Sequence, residues 1–164
     1  MRSSSSSPAR VSIQTQDFDL SAEVAALRAQ DPGVGAVVSF IGTVRDRNEG
    51  SGIVSLELEH YPGMTERAIE AFIDQAQRRF GIRAARVIHR VGRLQPQDAI
   101  VLVAVTAEHR HAAFQACEFL MDFLKTEAPF WKKETTPTGD THWVQAREVD
   151  EGARSRWESG DRPV

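Results

Sequence analysis

A chain of 164 residues is the size of one domain, since single domains usually run to roughly 100–200 residues. With 41% hydrophobic and 26% charged residues, 11 glycines and 7 prolines, the composition excludes collagen-like, low-complexity and disordered classes for the bulk of the chain. Lys and Arg number 20 against 23 Asp and Glu, a net charge of -3. No global positive field therefore draws the chain to nucleic acid or a membrane surface, and any bound anion has to meet a local cluster.

The lone Cys117 forbids an intramolecular disulfide and fits a reducing compartment, so a cytoplasmic protein is expected. The longest apolar run, Ala99 to Val105, is far short of the roughly 20 residues that a membrane helix needs. Residues 1–10 carry five consecutive serines and no apolar h-region, and read as a disordered tail rather than a secretory signal. A folded unit over 11–150 and a polar C-terminal tail over 151–164 complete the expected organisation.

In chain order, Val11 to Thr15 alternates as a short strand does, and Leu20, Val24 and Leu27 follow at helical spacing behind two candidate N-caps, Asp19 and Ser21. Asp31-Pro32-Gly33 stops that helix. Ala36 to Ile41 is a continuous apolar run of strand length, after which Gly42 to Gly52 reads as a mobile loop. Val54, Leu56 and Leu58 alternate with polar residues, the pattern of a strand with one wet face. From Thr65, Ala68, Ile69, Phe72, Ile73, Ala76 and Phe80 mark the buried stripe of a helix that ends at Gly81.

Arg86 to Val91 and Ala99 to Thr106 read as two strands joined by Gln95-Pro96-Gln97-Asp98. A second amphipathic helix, about Glu108 to Glu127, is expected to bury Ala113, Phe114, Cys117, Leu120 and Leu124 before Pro129 ends it. The remainder supplies one more strand up to Trp143-Val144. This order predicts an α+β fold, a mostly antiparallel sheet covered by two long helices.

The basic residues cluster. Arg83, Arg86, Arg90 and Arg93 share an acid-free stretch and read as solvated surface, the usual state of exposed charge. Arg45 differs, because it follows Gly42-Thr43-Val44 at the mouth of a buried strand, where loops commonly carry function. Lys125 closes a strongly apolar helix just before Pro129-Phe130-Trp131. Such a lysine, partly desolvated, suits general acid or base work, and it equally suits a snorkelling helix C-terminus. Lys132 lies beyond the proline, so helical spacing leaves open whether the two ammoniums meet.

His109, Arg110 and His111 fall at a strand–helix junction, where backbone N–H groups and a cation together suit a phosphate. A metal is not expected there, since two histidines two apart diverge on a helix and no third ligand is near in sequence. Cys117 shares the apolar helix face and reads as a buried structural thiol. Phe130, Trp131 and Trp143 suit either stacking on a heterocycle or core packing. The residues alone thus give an α+β domain with an anion pocket built from Arg45, His109, Arg110, Lys125 and Lys132.

Five strings carry a resemblance: GAVVSFIGTVRD from Gly35, LEHYPGMTERA from Leu58, VIHRVGRL from Val87, VTAEHRHAAF from Val105 and MDFLKTEAPFWKKE from Met121. In this order, spanning about Gly35 to Glu148, they resemble MoaE, the large catalytic subunit of molybdopterin synthase. The resemblance implies an α/β hammerhead fold with a small additional β-sheet subdomain. It implies a sulfurtransferase, working without a cofactor or metal of its own, that moves sulfur from the C-terminal Gly-Gly thiocarboxylate of a small ubiquitin-like, MoaD-like partner to cyclic pyranopterin monophosphate. Two such transfers build the dithiolene of molybdopterin.

A homodimer of large subunits inside a heterotetramer is the implied assembly, with neither nucleic acid nor membrane as partner. Carried over onto matching positions, the substrate-contacting groups fall on Thr43, Val44, Arg45, His109, Arg110, Lys125, Lys132, Lys133 and Glu134. Lys125 is the implied principal catalytic lysine and Lys132 the second, and Arg147 matches an arginine that approaches from the neighbouring large subunit. Two alternatives stand beside this reading. One is a non-catalytic module that captures the Gly-Gly tail of a small partner, and the other is a different phosphate-ligand transferase on the same scaffold.

Overall fold

The computed structural model describes residues 9–48, 51–143 and Trp157. Among them the order is β1 (Val11–Gln14), α1 (Leu20–Arg28), β2 (Ala36–Thr43), β3 (Arg47–Asn48), β4 (Ser51–Gly52), β5 (Ser55–His60), α2 (Met64–Phe80), β6 (Ala84–Arg90), β7 (Gly92–Leu94), β8 (Ala99–Ala107), α3 (Arg110–Thr126), β9 (Phe130–Thr135) and β10 (Thr141–Trp143). The strands form two four-stranded sheets, β1-β6-β8-β2 and β10-β9-β5-β7, and a β3–β4 hairpin. Only the β1–β6 pair is parallel. The expected α+β class and antiparallel-dominated sheets are therefore observed, and the additional β unit is a full second sheet.

β8 explains the first sheet. Its residues alternate between two faces with period two, and both are covered. Val101, Val103, Val105 and Ala107 join Ile69, Ile73 and Ala76 of α2 and Ala113, Ala116, Phe119 and Leu120 of α3 in the main core. Leu102 and Ala104 join Ile88 of β6 on the other face, under Leu20, Val24 and Leu27 of α1. Burial on both sides is why Ala99 to Val105 reads as one unbroken apolar run.

The helix boundaries follow local chemistry. Asp19 caps α1, its carboxylate accepting the Ala22 N–H at 3.0 Å. α2 ends at Gly81, whose left-handed φ of 68° suits glycine. Thr65, fully buried, accepts the Tyr61 N–H and donates to the Pro129 carbonyl at 3.0 Å, tying the start of α2 to the chain just past α3.

Several expectations change. The Gly42–Gly52 loop contains the β3–β4 hairpin. Val54 is exposed, while Leu56 and Leu58 are buried beside Val44 and Leu94 in a small second core. Phe114 is 60% exposed rather than buried, because it lies off the stripe that Ala113, Cys117 and Leu120 present to the sheet. Besides β3 and β4, two more strands were not expected: β7, only three residues long, and β9, whose Lys-Lys-Glu run masks its alternation.

The arginine series is not simply solvated. Arg83 forms a two-bond fork with Asp31 at 2.8 Å, Arg86 pairs with Glu23 at 3.1 Å and reaches the Ala9 carbonyl, and Arg90 donates to the Thr15 and Ala99 carbonyls. These arginines lash α1 and the N-terminal strand to the sheet. Arg10, last residue of the serine-rich segment, pairs with Glu70 and Asp74 of α2.

Gly35 sits where β2 begins against the β8–α3 junction, and a Cβ there would meet the Glu108 carbonyl oxygen at 2.1 Å. Backbone cannot yield as a flexible side chain does, so Gly35→Ala is expected to cost about 1–3 kcal/mol of overpacking strain. Denaturant titration checks this, and a loss within error of zero would refute it.

Candidate functional site

The chain leaves α3 at Thr126 and enters β9 at Phe130. The Glu127 and Ala128 N–H groups both return to the Phe123 carbonyl, and Pro129 then lacks the N–H that another helical turn would need. This tight reversal lays β9 antiparallel on β5, with Leu58 opposite Lys132 and Leu56 opposite Glu134. Lys125 at the helix end and Lys132 on the strand thereby line one cavity of about 360 Å³. The convergence that spacing left open is a consequence of the proline turn.

The opposite wall comes from β2. Its register on β8 shifts between Gly42 and Thr43, and such a bulge re-aims the side chains that follow. Thr43 and Arg45 line the cavity with Phe40 and Gly42. Val44 points away, 6% exposed, into the small core, with its N–H on the Asp98 carbonyl at 2.9 Å. Leu56, Leu58, Ile100, Val101, Met121 and Leu124 supply apolar lining. The site thus sets cations around an apolar chamber, a combination suited to a flat heterocycle bearing an anionic group.

The other expected positions fall elsewhere. On β9 the alternation puts Lys133 on the face away from Lys132, opposite Glu57, which in turn pairs with Arg93 of β7. Glu134 shares the Lys132 face but is buried, 5% exposed. His109 and Arg110 are exposed at the start of α3, whereas Lys125 is at its end, roughly 22 Å away at 1.5 Å per residue. They do not reach the cavity of their own chain. Arg147 lies outside the described residues. Lys125 itself is exposed rather than partly desolvated.

One lining residue escaped the sequence reading. His89 on β6 follows Ala85 and Val87 on the α2–α3 face, and its ring stacks on Phe130 at 3.8 Å between centroids and 19° between planes. Its period-two place behind buried Ala85 and Val87 was the available signal. Burial above all pushes its pKa from 6.5 down to about 4, with the charges of Lys125, His60 and Lys132 adding to the effect. Phe130 stacks on His89, while Trp131, which also lines the cavity, is held edge-on to Tyr61 and donates to Glu59.

Cys117 is buried, its thiol near the Val103 carbonyl. Burial, with Glu118 assisting, pushes its pKa up to about 11. At pH 8 the folded protein should therefore resist thiol reagents until it unfolds; rapid stoichiometric labelling of the native state would refute this. Among the described residues no cluster of His, Cys, Asp and Glu is placed to hold a metal, and no helix is long and apolar enough to cross a membrane. A more open depression beside α1, of about 440 Å³, is lined by Arg28 and by Asp31, which Arg83 already engages, and offers no comparable chemistry.

Known proteins align with this arrangement. The family model described as MoaE protein matches residues 13–127. The chain is 60% identical over 147 residues to a molybdopterin synthase catalytic subunit of Ralstonia nicotianae, covering 90% of this chain and 83% of that one. It is 53% identical over 149 residues to that of Vibrio cholerae, covering 91% and 98%. The solved MoaE protein of Burkholderia ambifaria superposes with a TM-score of 0.78 at 57% identity, covering 92% of this chain and 98% of that one. Molybdopterin synthase from Staphylococcus aureus does so at 0.77 and 29%, covering 84% and 98%. The chain belongs to the MoaE family.

Proposed function

We propose that this chain is the catalytic subunit of a molybdopterin synthase, a cytoplasmic sulfurtransferase that moves sulfur from the thiocarboxylated Gly-Gly tail of a small ubiquitin-like subunit to cyclic pyranopterin monophosphate. The observation that carries the reading is the cavity itself, where Arg45, Lys125 and Lys132 surround an apolar chamber in a chain of this family. Arg45 holds the substrate phosphate through charge-assisted hydrogen bonds, each worth about 1.5–3 kcal/mol. Lys125 steadies the thiocarboxylate and handles the proton, and Lys132 positions the pterin. Thr43 adds a hydroxyl to the wall. Two cations beyond the phosphate arginine favour turnover over mere tail capture.

The outlying residues support an assembly of two large subunits, each carrying a small one. His109 and Arg110, with no role in their own cavity, serve the cavity of a second copy, the role that the family resemblance also implies for Arg147. The exposed Phe40 and Ile41 on edge strand β2 and Phe114 on α3 are the apolar surface such a contact would cover. Arg110→Ala and Lys125→Ala, each inactive alone, are expected to regain activity when mixed and allowed to exchange subunits, since one hybrid site is then intact. No recovery would refute the contribution of Arg110 to the cavity of a second copy.

The deciding test combines the purified chain with a thiocarboxylated small subunit and cyclic pyranopterin monophosphate, and follows molybdopterin. Product supports the enzyme. Binding of the small subunit with no product hands the site to tail capture, and no binding removes the proposed partner.

A further inference from the structure

His89 is placed as a buried core histidine is not: it forms part of a cavity wall. Its Nδ1 lies 2.8 Å from the Arg90 carbonyl oxygen, and because a carbonyl only accepts, Nδ1 carries the proton. The neutral ring then keeps a lone pair on Nε2. Stacking on Phe130 at 3.8 Å fixes the ring plane. Phe130 is in turn flanked by His60, whose ring centroid is 6.5 Å away and whose Nε2 meets Glu66 at 3.3 Å. Tautomer and orientation are thus both set before any ligand arrives.

The charges around the ring decide what it can recognise. Lys125 of α3, Lys132 of β9 and Arg45 after β2 line the same cavity, and His60 of β5 stands behind Phe130. A further positive charge among these groups is opposed by burial and by the lysines, so the imidazole stays neutral across the physiological range. Phosphate and thiocarboxylate oxygens offer no proton to an acceptor and are left to the cations. What Nε2 can bind is a ligand donor, an N–H or an O–H, and the edge of a flat aminopyrimidinone ring supplies N–H groups.

We propose that His89 is a positioning residue of this site, its Nε2 accepting a hydrogen bond from an N–H of the substrate's aminopyrimidinone ring and so fixing the heterocycle's orientation between the cations. The proposal rests on the pterin-phosphate reading of the cavity and adds a specificity element to it. Selection is for a ring edge that donates, and a substrate analogue lacking that N–H is discriminated against because the buried acceptor is left unpaired.

Two substitutions separate this role from a structural one. In His89→Asn the shorter amide keeps a donor for the Arg90 carbonyl and loses the distal acceptor. In His89→Gln an amide oxygen reaches the distal position. With the holo-complex of both subunits, His89→Asn is expected to raise KM for cyclic pyranopterin monophosphate roughly 5–10-fold, the worth of one hydrogen bond, and to leave kcat within about 2-fold. His89→Gln should recover most of the affinity.

Equal impairment in both variants, or a loss confined to kcat, would overturn the assignment in favour of packing on Phe130, and an unchanged KM in His89→Asn would overturn it outright. A wild-type complex that fails to bind the pterin phosphate would instead bring down the functional reading, and the ligand assigned to His89 with it. A second readout is pH-dependent stability. Because the folded state binds its proton only near pH 4 whereas an unfolded histidine does so near 6.5, stability should fall as pH drops through that interval. The slope should shrink in His89→Asn, and an unaltered slope would contradict the neutral, half-buried ring.

Discussion

Lys125→Ala is expected to lower molybdopterin formation by about 10²–10⁴-fold, the range for removing a group that transfers a proton in the transition state, while the protein remains folded. The structure separates the two effects. Lys125 is exposed at the last turn of α3, so its contribution to the fold is confined to a favourable interaction with the helix C-terminus of about 0.3–1 kcal/mol. Its position is not incidental to the chemistry, because the proline turn brings Lys132 onto the same cavity. Lys125→Arg refines the test. Arginine keeps the charge but cannot release its proton near neutral pH, so this variant should still bind the thiocarboxylated tail and fail to turn over. Rates measured under single-turnover conditions, with thermal unfolding as the control, decide the matter; near-normal product from Lys125→Ala would end its catalytic assignment, and normal product from Lys125→Arg would reduce its role to charge alone.

How far such a site is legible in sequence depends on the range of the interaction that makes it. α2 and α3 are written in the spacing of Ile69, Ile73, Ala113, Cys117 and Leu120, and β8 in its apolar run, because burial imposes period and composition directly on the chain. Gly81 and Pro129 mark their helix ends for equally local reasons. β9 left no such trace: its central residues are Lys132, Lys133 and Glu134, and it is a strand because β5 and β10 supply its hydrogen bonds from either side. The same pairing decides that Lys132 faces the cavity and Lys133 does not, a difference the adjacent letters cannot express. Arg45 and Lys125 were legible as candidates from their positions at element ends. Their convergence depends on a bulge in β2 and a turn after α3, both tertiary outcomes. His89 shows the converse case, a residue whose alternation behind Ala85 and Val87 placed it on the core face, but whose polar character gave no sign that the core opens into a cavity there.

The largest effect on stability is expected at Phe119. Its side chain is fully buried in α3 and its ring meets Phe80 at 5.4 Å, Phe123 at 4.7 Å and Trp157 at 5.5 Å. Arg79 lies 5.7 Å from the same ring and within 5.8 Å of the Phe80 and Trp157 rings, capping the cluster with its guanidinium. Removing the ring takes away the common partner of α2, α3 and Trp157 and leaves a void that close-packed neighbours fill only in part. Phe119→Ala should therefore cost about 3–5 kcal/mol, a large share of the roughly 5–15 kcal/mol that holds a domain of this kind together. Trp157 is otherwise anchored by its indole N–H, which donates to Asp122 at 2.6 Å, so the same variant should shift tryptophan emission to longer wavelength as water reaches the ring. Phe119→Leu, which retains most of the volume, should lose far less. Turnover per folded molecule should be recovered on cooling well below the variant's unfolding midpoint, because none of the cluster lines the cavity; a destabilisation below about 1 kcal/mol would show instead that the neighbouring rings can collapse onto one another and that Phe119 is not their keystone.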